Sequence, residues 1–137
     1  MMPARPLNAS ETTSSMPTFS PLDPPHPQGA RDTLYLTTPA GSASALALSR
    51  LAADAPLLVI TQDTAEALRL ENELAFYADV PVLPFPDWET LPYDSFSPHQ
   101  DIVSSRLRTL RHLQDGVHGI VLVPINTLMQ RLPPVDY

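Results

Sequence analysis

Leu57-Leu58-Val59-Ile60-Thr61, followed by Asp63, Glu66, Ala67, Leu70, Leu74 and Tyr77, is the stretch on which the fold turns. A continuous apolar run of strand length, with no polar alternation, is the pattern of a parallel strand covered on both faces. Asp63 with Glu66 three residues later has the form of a helix cap, and the apolar residues after it recur at helical spacing. A strand, a turn and an amphipathic helix reaching about Ala78 are therefore expected.

The same alternation extends outward in both directions. Upstream, Thr33-Leu34-Tyr35-Leu36-Thr37 is rich in β-formers and runs into the turn signals Pro39 and Gly41, so it reads as a first strand. Ser42 to Ala53 reads as a helix that is apolar nearly all round, which predicts burial on more than one side, and Pro56 closes it. Downstream, Val80-Pro81-Val82-Leu83-Pro84-Phe85 is a weaker strand, because each proline removes a ladder donor. Ser97-Pro98-His99-Gln100 then predicts a helix start with Ser97 as cap and Pro98 in the first helical position. Val103, Leu107, Leu110 and Leu113 mark the buried face of that helix, leaving Arg106, Arg108 and Arg111 mostly outside it. Gly116 and Gly119 allow a turn into Ile120-Val121-Leu122-Val123, a second doubly buried strand. Asn126 is the expected cap of a last helical piece, Thr127 to Leu132, ended by Pro133-Pro134.

Strand and helix thus alternate four times, the signature of a three-layer α/β unit with a largely parallel sheet. Residues 1–30 carry Pro3, Pro6, Pro17, Pro21, Pro24, Pro25 and Pro27 among Ser and Thr, and are expected to form a disordered tail. Pro24-Pro25-His26-Pro27 also has the form of a polyproline II docking peptide. The α/β domain is expected over residues 31–137, with no closing element after the last helix, so an incomplete domain is anticipated.

Charge and composition narrow the function. Eight basic against 15 acidic side chains give a net charge of −7, and every basic residue is arginine. That balance argues against an autonomous nucleic-acid binder, which needs a clustered basic surface. With no cysteine there are no disulfides, thiolate nucleophiles or Cys-type zinc sites. No segment approaches the roughly 20 apolar residues of a membrane span, and the first residues lack the apolar run of a secretory signal. A cytoplasmic protein is expected.

The turn after the first expected strand is where a P-loop protein cradles phosphate, and that function needs the pattern G-x-x-x-x-G-K-[ST]. Here Gly41-Ser42-Ala43-Ser44-Ala45 puts Ser44 in the lysine position and Ala45 in the position of the magnesium-binding hydroxyl. The turn is a degenerate phosphate turn, so no nucleotide or metal cofactor is expected in this segment. His26, His99, His112 and His118 form no i, i+4 ligand pair. Ser104-Ser105 lies inside a helix and not on a nucleophile elbow. Asp87, Glu89, Asp94 and Asp101 can be written as an acid pair for general acid–base work or as a metal cage, but acidic loop residues and helix-end charges account for them more simply. Trp88, Tyr93 and Phe96 admit two readings, anchors on a partner surface or rings folded back onto the sheet edge.

The run Asp87-Trp88-Glu89-Thr90-Leu91-Pro92-Tyr93-Asp94-Ser95-Phe96-Ser97-Pro98-His99-Gln100-Asp101-Ile102-Val103-Ser104-Ser105-Arg106-Leu107 closely resembles the N-terminal region of bacterial transcription-repair coupling factors. Val123-Pro124-Ile125-Asn126-Thr127-Leu128-Met129-Gln130-Arg131 continues the likeness, which covers about residues 31–134 and leaves the proline-rich head without a counterpart. The resemblance implies a P-loop-like module similar to the nucleotide-excision protein UvrB, with a decayed nucleotide site. UvrB carries a long damage-probing hairpin where this chain has only the short connection from Pro86 to Pro98. For a full-length relative the resemblance implies an ATP- and Mg-dependent, helicase-like DNA translocase that releases RNA polymerase stalled at lesions and recruits UvrA. The present segment is then a non-catalytic scaffold contacting other domains of the parent, with Trp88, Glu89, Tyr93, Asp94, Phe96 and Arg106 as candidate interaction residues. A free-standing nucleic-acid-binding or protein-docking module, using Arg106, Arg108 and Arg111, is the alternative.

Overall fold

The computed structural model describes residues 19–37, 39–90, 95 and 97–132. The elements are α1 (Ala43–Asp54), β1 (Leu57–Thr61), α2 (Thr64–Tyr77), β2 (Val82–Pro84), α3 (Gln100–Gln114), β3 (Ile120–Pro124) and the single turn α4 (Ile125–Leu128). The three strands form an open sheet in the order β1-β3-β2, and both pairings are parallel.

Topology sets which helix covers which face. The connection β1-α2-β2 crosses two strand positions in one direction, and β2-α3-β3 steps back by one. Because such crossovers keep one hand, reversal of direction puts α2 and α3 on opposite faces. The packing agrees. Ala45, Ala52, Leu70, Leu74, Ile120 and Leu122 form the core between α1, α2 and the sheet, and Leu57, Val59 and Val82 pack against it. Leu83, Val121 and Val123 point to the other face, where α3 lies.

Local chemistry explains the ends of the elements. Asp63 caps α2 by accepting from the Glu66 N–H at 2.8 Å, while Glu66 reaches back to the N–H of Gln62 at 2.9 Å, as the sequence predicts. Gly116 ends α3 in the left-handed region at φ 66°, and the bonds Val117 N–H to His112 O and Gly116 N–H to Leu113 O complete a Schellman motif. Gly119 is required by close approach, since a Cβ there would sit 2.7 Å from the Pro81 carbonyl oxygen. The prolines leave β2 only three residues long, but its carbonyls still serve: Ile120 N–H donates to Pro81 O at 2.9 Å. In β3, all five residues are buried, the doubly covered strand the sequence indicates.

Several expectations are corrected. Thr33–Thr37 is not a strand, and Tyr35 is 74% exposed. Strand propensity expresses itself only against a partner ladder, and β1 pairs with β3 alone among the described residues. The unit therefore begins with α1, and the sheet has three strands where four were expected. The stretch instead runs beside α1, where Leu36, Thr37 and Pro39 line a shallow groove with Leu48 and Leu51, so α1 is covered on a second side as its composition predicts. β1 is not covered on both faces: Leu58 is 60% exposed and Ile60 50%. The crossover through α3 lies between β2 and β3, leaving the β1 flank of that face open.

The start of α3 also differs. His99, not Ser97, is the cap, with Nδ1 accepting from Asp101 N–H at 3.3 Å, and Pro98 precedes the helix. Asn126 is not a cap either; it lies inside α4, which Pro124 leads in. Of the expected tail, residues 1–18 lie outside the described residues. Phe19 to Ala30 holds no helix or extended sheet strand; Asp23 N–H donates to Ser20 O at 3.0 Å, and Pro24 is buried.

Candidate functional site

The buried face of α3 is not the one its leucines suggest. Arg106 and Thr109 are the buried residues of the helix, whereas Leu107 is 59% exposed and Leu113 is also exposed. At 3.6 residues per turn, the docked face is rotated by roughly a quarter turn from the apolar stripe. The cause is the proline-rich end of β2 and its exit loop, where the Pro84 carbonyl draws two hydroxyls and the Pro86 carbonyl a guanidinium. Thr109 Oγ1 donates to Pro84 O at 2.7 Å, Ser105 Oγ donates to the same oxygen at 3.4 Å, and Arg106 NH1 donates to Pro86 O at 2.6 Å.

Arg106, near the end of the family-like motif, packs back onto its start. It is 3% exposed, and its guanidinium lies 4.1 Å from the centroids of both Phe85 and Trp88, a cation between two aromatic faces. Burial pushes the guanidinium below its ordinary pKa, and the Asp87 carboxylate opposes that shift by favouring the charge. Asp87 is itself held in place, accepting from the Trp88 N–H at 2.7 Å and from the side-chain amide of Gln130. The arrangement ties the β2 exit loop, α3 and the end of α4 into one unit. Its chemistry is positioning: the cation is consumed by two rings and a carbonyl. Arg106 is thus a buried structural residue and not one of an exposed arginine set. Of the other two, Arg111 pairs with Asp115 at 3.0 Å.

The remaining expected site residues separate. Trp88 is half-buried with its ring on the Arg106 guanidinium of α3, and not on the sheet edge. Glu89 is exposed, and at φ 57° it is the one non-glycine residue in the left-handed region among the described residues. Tyr93, Asp94 and Phe96 lie outside the described residues. The turn expected to be a degenerate phosphate turn follows no strand among the described residues; in it Gly41 stands at φ 60°, Ser42 Oγ lies 3.2 Å from the Tyr77 hydroxyl, and Ala45 is buried in the core. Those contacts pack α1 against the end of α2. Among the described residues there is no cluster of three His, Asp or Glu able to hold a metal ion, and no helix is long and apolar enough to cross a membrane.

Sequence reasoning missed a second feature, an apolar face on the α3 side of the sheet. Leu58, Val121, Val123, Leu110, Leu113 and Leu128 line a groove of about 190 Å³ that opens beside the free edge of β1. Among the described residues no strand pairs with that edge, and Leu57–Thr61 has no charge and no proline, the usual devices against edge pairing. Leu57 N–H donates to Gly119 O, so residues 57, 59 and 61 bond toward β3 and the N–H groups of Leu58 and Ile60 point to the open side. Of the groove's lining residues, Leu113, Leu128 and Leu132 are also exposed.

The fold and these surfaces define a small, open, parallel α/β unit built around a locked loop, with an apolar flank and the β1 edge uncovered among the described residues. No protein-family profile matches the chain. Individual proteins do: it is 54% identical over 97 residues to the transcription-repair-coupling factor of Haemophilus influenzae, covering 69% of this chain, and 52% identical over 82 residues to that of Escherichia coli, covering 60%. The corresponding protein of Mycobacterium bovis is 38% identical over 131 residues, covering 90% of the chain, a share too large to fit within residues 31–137 alone. That last match therefore reaches into the proline-rich head, which the sequence reading left without a counterpart. The chain belongs to the transcription-repair-coupling-factor family over the stretch they share, and it spans only 7 to 10% of the length of these relatives.

Proposed function

We propose that this segment is a non-catalytic scaffold of a transcription-repair coupling factor, the first lobe of a UvrB-like module whose P-loop-like nucleotide site has decayed. The observation that carries this reading is the apolar flank and edge of β1 left open among the described residues, in a chain whose match occupies only 8% of the Haemophilus influenzae relative. A surface of that kind is covered in the working protein, and a neighbouring part of the same long chain is the economical cover. The activity of the parent on this reading is the ATP- and Mg-driven release of RNA polymerase stalled at DNA lesions, with recruitment of UvrA. It works in the bacterial cytoplasm, where transcription and repair meet. The burial of Arg106 supports the scaffold reading over a free-standing nucleic-acid module, because it removes one of the three arginines that such a module would use.

The test pairs two measurements on the purified chain. ATP hydrolysis is measured with and without Gly41→Val and Ser44→Val, and binding of the remainder of the parent protein, expressed separately, is measured with and without Leu58→Glu plus Ile60→Glu. No turnover, together with binding that the double glutamate variant abolishes, is expected. Turnover lost in the Gly41 or Ser44 variant, or binding indifferent to Leu58 and Ile60, overturns the reading.

A further inference from the structure

On the opposite, α2-covered face of the sheet, at the carboxyl ends of β2 and β3, lies a second groove of about 180 Å³. Its walls are apolar, from Leu68, Phe85, Pro86 and Leu122, and Leu68 is exposed at its mouth. Its two ionisable lining residues are Glu71 and Glu89, and no basic residue lines it. The ion pairs of the described residues engage other carboxylates, those of Asp54, Glu73, Asp101 and Asp115, so neither Glu71 nor Glu89 has a cation of its own there.

This is the edge at which α/β sheets bind ligands, and the nearby helix end normally favours an anion. Here that helix end already carries two carboxylates of its own: Asp63 takes the Glu66 N–H and Glu66 takes the N–H of Gln62. A phosphate would meet those two carboxylates and the two further negative charges of Glu71 and Glu89. A cation on an apolar stem meets complementary walls and two free carboxylates.

We propose that this groove receives an arginine side chain from a partner protein segment, with Glu71 and Glu89 on the guanidinium and Leu68, Phe85 and Pro86 on its stem and face. The site is separate from the β1 flank and does not depend on what covers that flank. The planar, weakly hydrated guanidinium suits a groove walled by a ring and a proline better than a lysine ammonium does. Nucleic acid is excluded as occupant by the sign of the charge.

The test titrates the 137-residue chain with the peptide acetyl-Gly-Arg-Gly-amide and with its citrulline counterpart, which keeps the shape and lacks the charge, following backbone amide resonances. The arginine peptide is expected to shift Leu68, Glu71 and Glu89 saturably. Citrulline, and the Glu71→Gln plus Glu89→Gln variant, are expected to bind roughly five- to tenfold more weakly, the effect of two partly exposed ion pairs. Both glutamates lie off the core, so the variant's amide dispersion verifies its fold, and raised salt weakens the wild-type response independently. No saturable shift, equal binding of citrulline, or unchanged binding in the double variant overturns the proposal.

Discussion

Replacing Arg106 tests the interior of the motif more sharply than any surface change. Its guanidinium faces two rings at 4.1 Å, contacts of about 0.5–2 kcal/mol each. It also donates to Pro86 O at 2.6 Å, a hydrogen bond from a charged group, about 1.5–3 kcal/mol. Against these stands the cost of burying the charge, the cause of its lowered pKa. Arg106→Lys keeps that cost, because an ammonium is charged and more strongly hydrated, but gives up the planar fit between the rings. We expect it to destabilise the fold by about 2–3 kcal/mol, roughly 10–20 °C in Tm for a domain of this size. Arg106→Met removes the charge with most of the volume, and its main cost is the orphaned Pro86 carbonyl, about 1–2 kcal/mol. The lysine variant is therefore the less stable of the two, the reverse of a ranking by chemical similarity. Thermal unfolding measures both, and emission from Trp88, the chain's single tryptophan, reports whether the sandwich opens. A lysine variant within a few degrees of wild type, with unchanged emission, refutes the account of Arg106.

Three further outcomes follow from individual contacts. Gly119→Ala drives a methyl into the Pro81 carbonyl and is expected to cost about 1–3 kcal/mol, read from denaturant midpoints. Asp63→Ala removes the α2 cap and is expected to cost about 1 kcal/mol by the same measurement. Leu58→Glu with Ile60→Glu changes exposed side chains, so stability should move by only about 0.5 kcal/mol per site, while self-association and hydrophobic-dye binding of the isolated chain fall.

What the sequence makes legible, and what it hides, has a physical boundary. β3, α2 and the Asp63–Glu66 cap are readable because each depends on contacts within a few residues or on an apolar run long enough to demand burial. Thr33–Thr37 misleads because strand propensity carries no information about whether a partner strand is present. Leu58 and Ile60 mislead for a related reason: an apolar run predicts that something covers both faces, without saying that the cover belongs to this stretch of chain. The rotation of α3 is invisible to periodicity, since the docked face is chosen by carbonyls of Pro84 and Pro86 that only the fold brings to Thr109 and Arg106. An arginine in register with Ile102 and Thr109 is the one available signal. The packing of Ala45 in the core and of Ser42 on Tyr77 is likewise set by the long-range approach of α1 to α2, which the local sequence of the turn does not carry.

The central claim is that the open edge of β1 is a seam joined to another part of a much longer protein, and hydrogen exchange at two amides tests it most directly. In the isolated chain the N–H groups of Leu58 and Ile60 face the open side, while those of Leu57 and Val59 face β3. Exchange is compared between this chain and the full-length parent that contains it. The account predicts that Leu58 and Ile60 exchange fast in the chain alone and become protected to the level of Val59 in the parent. Fast exchange at Leu58 and Ile60 in both proteins would contradict it.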